Sequence, residues 1–202
     1  MQKNMKSDRR VRRTSRYIRE AFLQLIAEKG YHAITVQDIT TAADINRSTF
    51  YYHYRDKEEL LEHSMNDMIT LAEQEIMAPA ALEYQEADKL TAYDPSRFYI
   101  LMFEHIGKHA EFYHVMLKYV PLFAQRFSEI IQQFYRNSIS ALQPREEQLL
   151  VSRELLTTYV TGAYTAVILS WLEQGLPHPP AYMAQQLSRI MIDGPHRAAG
   201  LQ

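Results

Sequence analysis

The densest run of chemically capable side chains lies between residues 46 and 57, where Asn46-Arg47-Ser48-Thr49 is followed by Tyr51, Tyr52, His53 and Lys57. One arginine among short polar groups at the start of a helix has the reach and the donors to read base edges in a major groove. The phenols, imidazole and ammonium behind it are donors suited to phosphate oxygens. Phe50, Tyr51 and Tyr52 are consecutive, so they cannot all face inward on one helix. With Phe50 serving the core, the two tyrosines are left for the surface.

Other constellations are thinner. His105 and His109 stand four apart, a spacing that can hold a metal, with His114 nearby. No carboxylate beside them completes a recognisable ligand set, so no metal is expected. The chain has no cysteine, which removes thiolate metal sites, disulfides and the easiest nucleophile together. It also lacks a phosphate-cradling glycine loop, a serine elbow and a zinc-protease helix motif. Neither an enzyme nor a cofactor is expected.

Helical periodicity must position the polar set, because nothing alternates with period two. Ile18, Ala21, Phe22, Leu25 and Ile26 form one apolar stripe, predicting a helix over 14–29. Thr35 reads as an N-cap with Asp38 three residues on, opening a two-turn helix that buries Val36, Ile39 and Ala43. A short turn through Asp44 and Ile45 leads to Asn46, which can cap a third helix over 47–53. Two short helices joined by such a turn form a helix-turn-helix. A fourth helix opens at Asp56 and is expected to reach about residue 78, before Pro79. Asp94-Pro95 begins a helix through about 107, followed by helices over 110–119, 121–142, 144–173 and 181–192.

Composition bounds the class. Of 202 residues, 47% are hydrophobic and 23% charged, enough for a real core and against disorder. The net charge of −2 hides an asymmetry: residues 1–57 hold 12 Lys/Arg against 6 Asp/Glu, and residues 58–202 hold 10 against 18. Such a division suggests that one end alone meets a polyanion. A solvated charged face would give the same count. The basic N-terminus has no apolar stretch behind it, and the longest mostly apolar run, 162–172, is short for a bilayer span of about 20 residues. A cytoplasmic protein without membrane association is therefore expected.

The segment from residue 18 to 61 resembles the TetR family of bacterial regulators. The likeness is carried by Gly30-Tyr31, Ile34-Thr35-Val36, Asp38-Ile39, Ala42-Ala43, Ile45 through Tyr51, His53-Tyr54 and Asp56-Lys57-Glu58-Glu59-Leu60. Asp44 departs from it, standing where the family usually has glycine; aspartate tolerates the left-handed conformation better than most residues. The resemblance implies that Thr35 binds phosphate and that Gln37 reaches phosphate or a base. It puts Arg47, Ser48 and Thr49 on bases beside Asn46, with Tyr51, Tyr52, His53 and Lys57 on the backbone of a double-stranded operator. Upstream, Lys3, Lys6, Arg9, Arg10, Arg12 and Arg13 form a basic arm that fits either DNA contact or a disordered solubilising tail.

Weaker motifs extend the likeness over nearly the whole chain: Phe103-Glu104-His105-Ile106, Glu111-Phe112-Tyr113, Gly162-Ala163-Tyr164 and Ser170 through Gly175. They imply a homodimer paired through the last two helices, and Leu149, Leu150, Leu155, Leu156, Val160, Val167, Ile168 and Trp171 spread apolar surface over more of the helix than one small bundle easily covers, which is consistent with that. They also imply a small-molecule effector of unknown identity held among the middle helices. Phe98, Met102, His105, Phe112 and Met116 are candidate lining residues there, as are Phe123, Phe127, Tyr159 and Tyr164. For any one of them, ordinary core packing is the competing reading.

The expected fold is all-α with about nine helices, divided as 1–57 for the basic arm and DNA-binding domain, 58–192 for effector binding and dimerisation, and 193–202 as a flexible tail. The expected function is a ligand-responsive repressor at a near-palindromic operator. The alternative is a protein of the same fold that acts by pairing with another regulator.

Overall fold

A computed structural model describes residues 2–77, 96–141 and 149–201. Among the described residues there are nine α-helices and no strand. They are α1 (Gln2–Lys29), α2 (Val36–Ala42), α3 (Arg47–His53), α4 (Lys57–Ala72), α5 (Ser96–Lys108), α6 (Ala110–Tyr119), α7 (Pro121–Ala141), α8 (Arg153–Glu173) and α9 (Pro180–Ala198). A 3₁₀ turn, Tyr31–Ala33, follows α1, and a π-turn, Glu73–Met77, follows α4. The chain divides into two compact units, Met1–Ile69 with Lys118–Val120, and Thr70–Leu117 with Pro121–Gln202.

In the first unit the predicted stripe of α1 is buried as a set: Ile18, Ala21, Phe22, Leu25 and Ile26. Ile34, Ile39, Phe50, Leu60 and Met65 are buried in the same unit, so four helices contribute to one small core. Phe50 is wholly buried, which contributes about 1.5–3 kcal/mol and fixes the rotation of α3 about its axis. Tyr54 closes the core beside it, its hydroxyl 2.6 Å from Ser15 Oγ.

The α2 start is a reciprocal cap. Thr35 Oγ1 accepts from the Asp38 amide at 3.2 Å, and Asp38 Oδ2 accepts from the Thr35 amide at 2.8 Å. At the other end, Ile45 N donates to Thr40 O and Asp44 N to Thr41 O, the paired bonds that close a helix through one left-handed residue. Asp44 is that residue, with φ 51°.

In the second unit, α9 lies along α5, α8 along α7, and the π-turn against α5. Tyr99, Met102, Phe103, Ile106, Met116, Phe123, Val160, Tyr164, Ile168, Trp171 and Leu187 form the core. Trp171 Nε1 donates to His178 O at 2.9 Å, tying α8 to the turn after it, where Gly175 takes φ 72°. α8 is the one described helix long and apolar enough to cross a membrane by length and composition. Its apolar groups, however, serve the core on one side.

Four expected boundaries differ. α1 begins at Gln2 rather than near residue 14, so the basic arm is a continuation of the helix. α8 begins at Arg153, where Ser152 Oγ accepts from Leu155 N at 3.2 Å; the expected start at Pro144 lies outside the described residues, as do Pro79 and the Asp94-Pro95 cap. α4 gives way after Ala72 to a π-turn that runs to Met77, where a continuous α-helix is expected. The expected tail is helical to Ala198, broken at Gly194 with φ 76° and ψ 162° before Pro195.

Candidate nucleic-acid interface

α3 presents the polar set on the side opposite Phe50. Asn46, Arg47 and Ser48 are exposed and Thr49 is half-buried; Tyr51 is 49% and Tyr52 74% exposed. The N-terminal edge of α3 is therefore open rather than sealed within its own unit. Arg47 Nη2 donates to Tyr51 Oη at 3.2 Å, and its guanidinium carbon lies 5.9 Å from the Tyr51 ring centroid. One turn of helix thus holds the arginine's planar fork against a phenol.

Beside that edge, Arg10, Val11 and Thr14 of α1 and Ser48, Thr49, Tyr52 and His53 of α3 line a groove of about 330 Å³. Sequence puts Arg10 in the arm alone and gives Thr14 no role; only a continuous α1 brings both alongside α3. Gln37, on α2, is exposed, with its amide nitrogen 3.3 Å from Thr41 Oγ1.

Three expectations change. Lys57 is not free for phosphate: Nζ donates to Ile34 O at 2.9 Å, Tyr31 O at 3.3 Å and His32 O at 3.4 Å, 4.8 Å from the Tyr31 ring centroid. An ammonium has three N–H donors, so each has a carbonyl to meet, and the lysine closes the 3₁₀ turn instead. Asn46 stands at the N-cap of α3 with extended backbone but makes no side-chain cap bond; its amide is left outward. The Thr35 hydroxyl lies 2.6 Å from Asp38 Oδ2 and donates to it, so a phosphate there would compete with a neighbouring carboxylate.

Electrostatics sharpen the division. Burial lowers the pKa of His53, which favours a neutral ring carrying one N–H donor. Asp38 is held well below the usual carboxylate range by bonds from Lys29 and Thr35, with Lys29 Nζ at 2.8 Å. Desolvation first, then Glu58, pushes the Tyr31 phenol up to about 12.

The other expected residues lie in the second unit. Phe98, Met102, His105, Met116, Phe123, Phe127 and Tyr164 are buried and Phe112 is half-buried. Phe112 meets Phe123 edge-on at 5.4 Å, Phe123 stacks on Phe127 at 6.2 Å, and Tyr164 bonds Tyr99 through its hydroxyl. Tyr159 departs from the set. At 54% exposed it lies on the outer side of α8, because α8 turns Val160 and Tyr164 inward.

Family profiles match both parts of the chain. Residues 18–63 match bacterial regulatory proteins of the tetR family, and residues 93–193, half the chain, match a transcriptional regulator C-terminal region. The chain belongs to the TetR family of bacterial regulators. This is a family of transcriptional regulators rather than enzymes. Among its relatives is the uncharacterized HTH-type transcriptional regulator YxbF of Bacillus subtilis (strain 168), 28% identical over 198 residues. That match covers 94% of this chain and 47% of YxbF, so the chain spans about half the length of that relative. A TetR transcriptional regulator from Streptococcus agalactiae 2603V shares the fold with a TM-score of 0.62, at 21% identity over 93% of this chain and 98% of that one. FadR of Thermus thermophilus, a TetR family transcriptional repressor solved with lauroyl-CoA, superposes with a TM-score of 0.50 at 17% identity over 90% of this chain and 94% of that one.

Proposed function

We propose that this TetR-family chain is a ligand-responsive repressor that binds a near-palindromic operator as a homodimer in the cytoplasm. The observation that carries the reading is the open N-terminal edge of α3, with Asn46, Arg47 and Ser48 exposed while Phe50 anchors the opposite side. In this reading Arg47, Ser48 and Thr49 meet base edges, and Tyr51, Tyr52, His53 and Gln37 meet phosphates. Lys57 has left the contact set for the reason given above.

Residues 1–57 form the DNA-binding part and residues 58–192 the effector and dimer part. The effector displaces or enters the buried aromatic cluster around Phe112, Phe123 and Phe127. It acts by favouring a dimer whose α3 helices no longer match the operator spacing, a coupling of about 1–3 kcal/mol. The experiment is selection of bound sequences from random duplexes by the full chain at fixed salt. Enrichment of an inverted repeat is expected. Weak, salt-sensitive binding with no enriched sequence would overturn the reading and favour a regulator that works through a protein partner.

A further inference from the structure

We infer that Glu75, His105 and His109 form a binding site for one divalent first-row transition-metal ion. The two histidines alone lacked a carboxylate; the fold supplies Glu75, thirty residues upstream of His105. One ligand atom from each residue lies within 4.8 Å of the others, with His105 Nδ1 2.6 Å and His109 Nε2 4.0 Å from Glu75 Oε2. Donors bonded to one tetrahedral ion at about 2.0–2.1 Å sit about 3.4 Å apart. Small side-chain adjustments therefore close the set around an ion.

Three further features point the same way. His109 Nε2 is buried and has no hydrogen-bond partner, and a buried polar nitrogen is costly to leave unmet. Glu75 is carried by the π-turn Glu73–Met77, a local widening of the helix that recurs at functional sites. His105 Nε2 lies 2.8 Å from the buried Tyr113 hydroxyl. That hydroxyl accepts from Nε2–H when Nδ1 binds a metal and donates to Nε2 when Nδ1–H bonds Glu75, so both tautomers are served.

The charge balance is also suitable. Lys108 Nζ holds the other carboxylate oxygen, Oε1, at 2.7 Å, leaving Oε2 to face the imidazoles. Two imidazoles and one carboxylate, without thiolate, suit zinc, nickel, cobalt or iron(II) rather than magnesium or calcium, which prefer all-oxygen shells. This site stands whether or not the chain binds DNA.

The test uses the untagged full chain, stripped with a chelator and titrated with Zn²⁺ against a chromophoric competitor. One zinc per chain is expected, and Co²⁺ should give visible d–d bands. His109→Ala and Glu75→Gln should each weaken zinc by at least about tenfold, since loss even of a ligand's outer partner costs that much, with unchanged helical circular dichroism. Absence of zinc binding by the wild type would overturn the site. So would binding that His109→Ala weakens by less than tenfold, which would put the ion on others of the eight histidines.

Discussion

Arg47 and Lys57 are both cationic, ten positions apart in the same polar set, yet their surroundings assign them opposite work. Arg47 is exposed with its guanidinium against Tyr51, so Arg47→Ala leaves the core untouched and, on the proposed function, removes a reader of bases. The expected loss is about 1–3 kcal/mol of operator affinity, with relaxed preference at one base pair. Gel retardation at fixed salt measures it, and an unchanged affinity would take Arg47 out of the interface. Lys57→Met should instead lower fold stability by about 1–3 kcal/mol, by leaving partly buried carbonyls unmet. The salt dependence of DNA binding should stay unchanged; a slope reduced by about one would restore Lys57 as a phosphate contact. Sequence could place both residues beside the groove. It could not separate them, because Lys57 is engaged by the carbonyls of Tyr31, His32 and Ile34, more than twenty positions earlier.

The elements were legible where a local rule fixes them and illegible where a distant residue does. Thr35 with Asp38, the Asp44 turn and the α1 stripe all follow from neighbours within one or two helical turns, and each is found as expected. Pro144 and two glutamates offer the sequence a strong helix signal, yet α8 starts at Arg153, where Ser152 makes the cap. Glu75 was invisible as a partner of His105 because only the packing of the π-turn on α5 joins them. The α2 cap yields a prediction of its own. Thr35→Ala should cost about 0.5–2 kcal/mol. Asp38→Asn should lower the melting temperature at neutral pH. The folded carboxyl is depressed below its ordinary value, so its contribution is present above the usual carboxylate range and lost as pH falls through the depressed value. The gap between Asp38→Asn and wild type in thermal melts should therefore narrow only below about pH 4. A gap that already narrows between pH 7 and 5 would mean that another group carries the effect.

At the scale of the whole molecule, the open question is what covers the outer side of α8 and α9. Leu155 is 61%, Tyr159 54% and Ile192 66% exposed, while Gly162 and Ala166 are also exposed. Residues 155, 159, 162 and 166 recur at helical spacing, so α8 carries an apolar stripe on the side away from its core. Water contact with such a stripe is unfavourable, and a second copy of the same helices would remove it with two-fold symmetry. Gly162 is the sensitive point: a side-chain carbon there meets nothing within 4 Å in the isolated chain, and small residues let paired helices approach to about 8–10 Å. For the proposed homodimer, Gly162→Arg should therefore leave the helical content and melting of the single chain nearly intact while shifting sedimentation from dimer toward monomer. Operator affinity should fall with it, because a monomer engages one half-site and forfeits the gain of tethering two. If Gly162→Arg sediments as wild type does, the copies meet elsewhere and the α8 stripe belongs to a different partner.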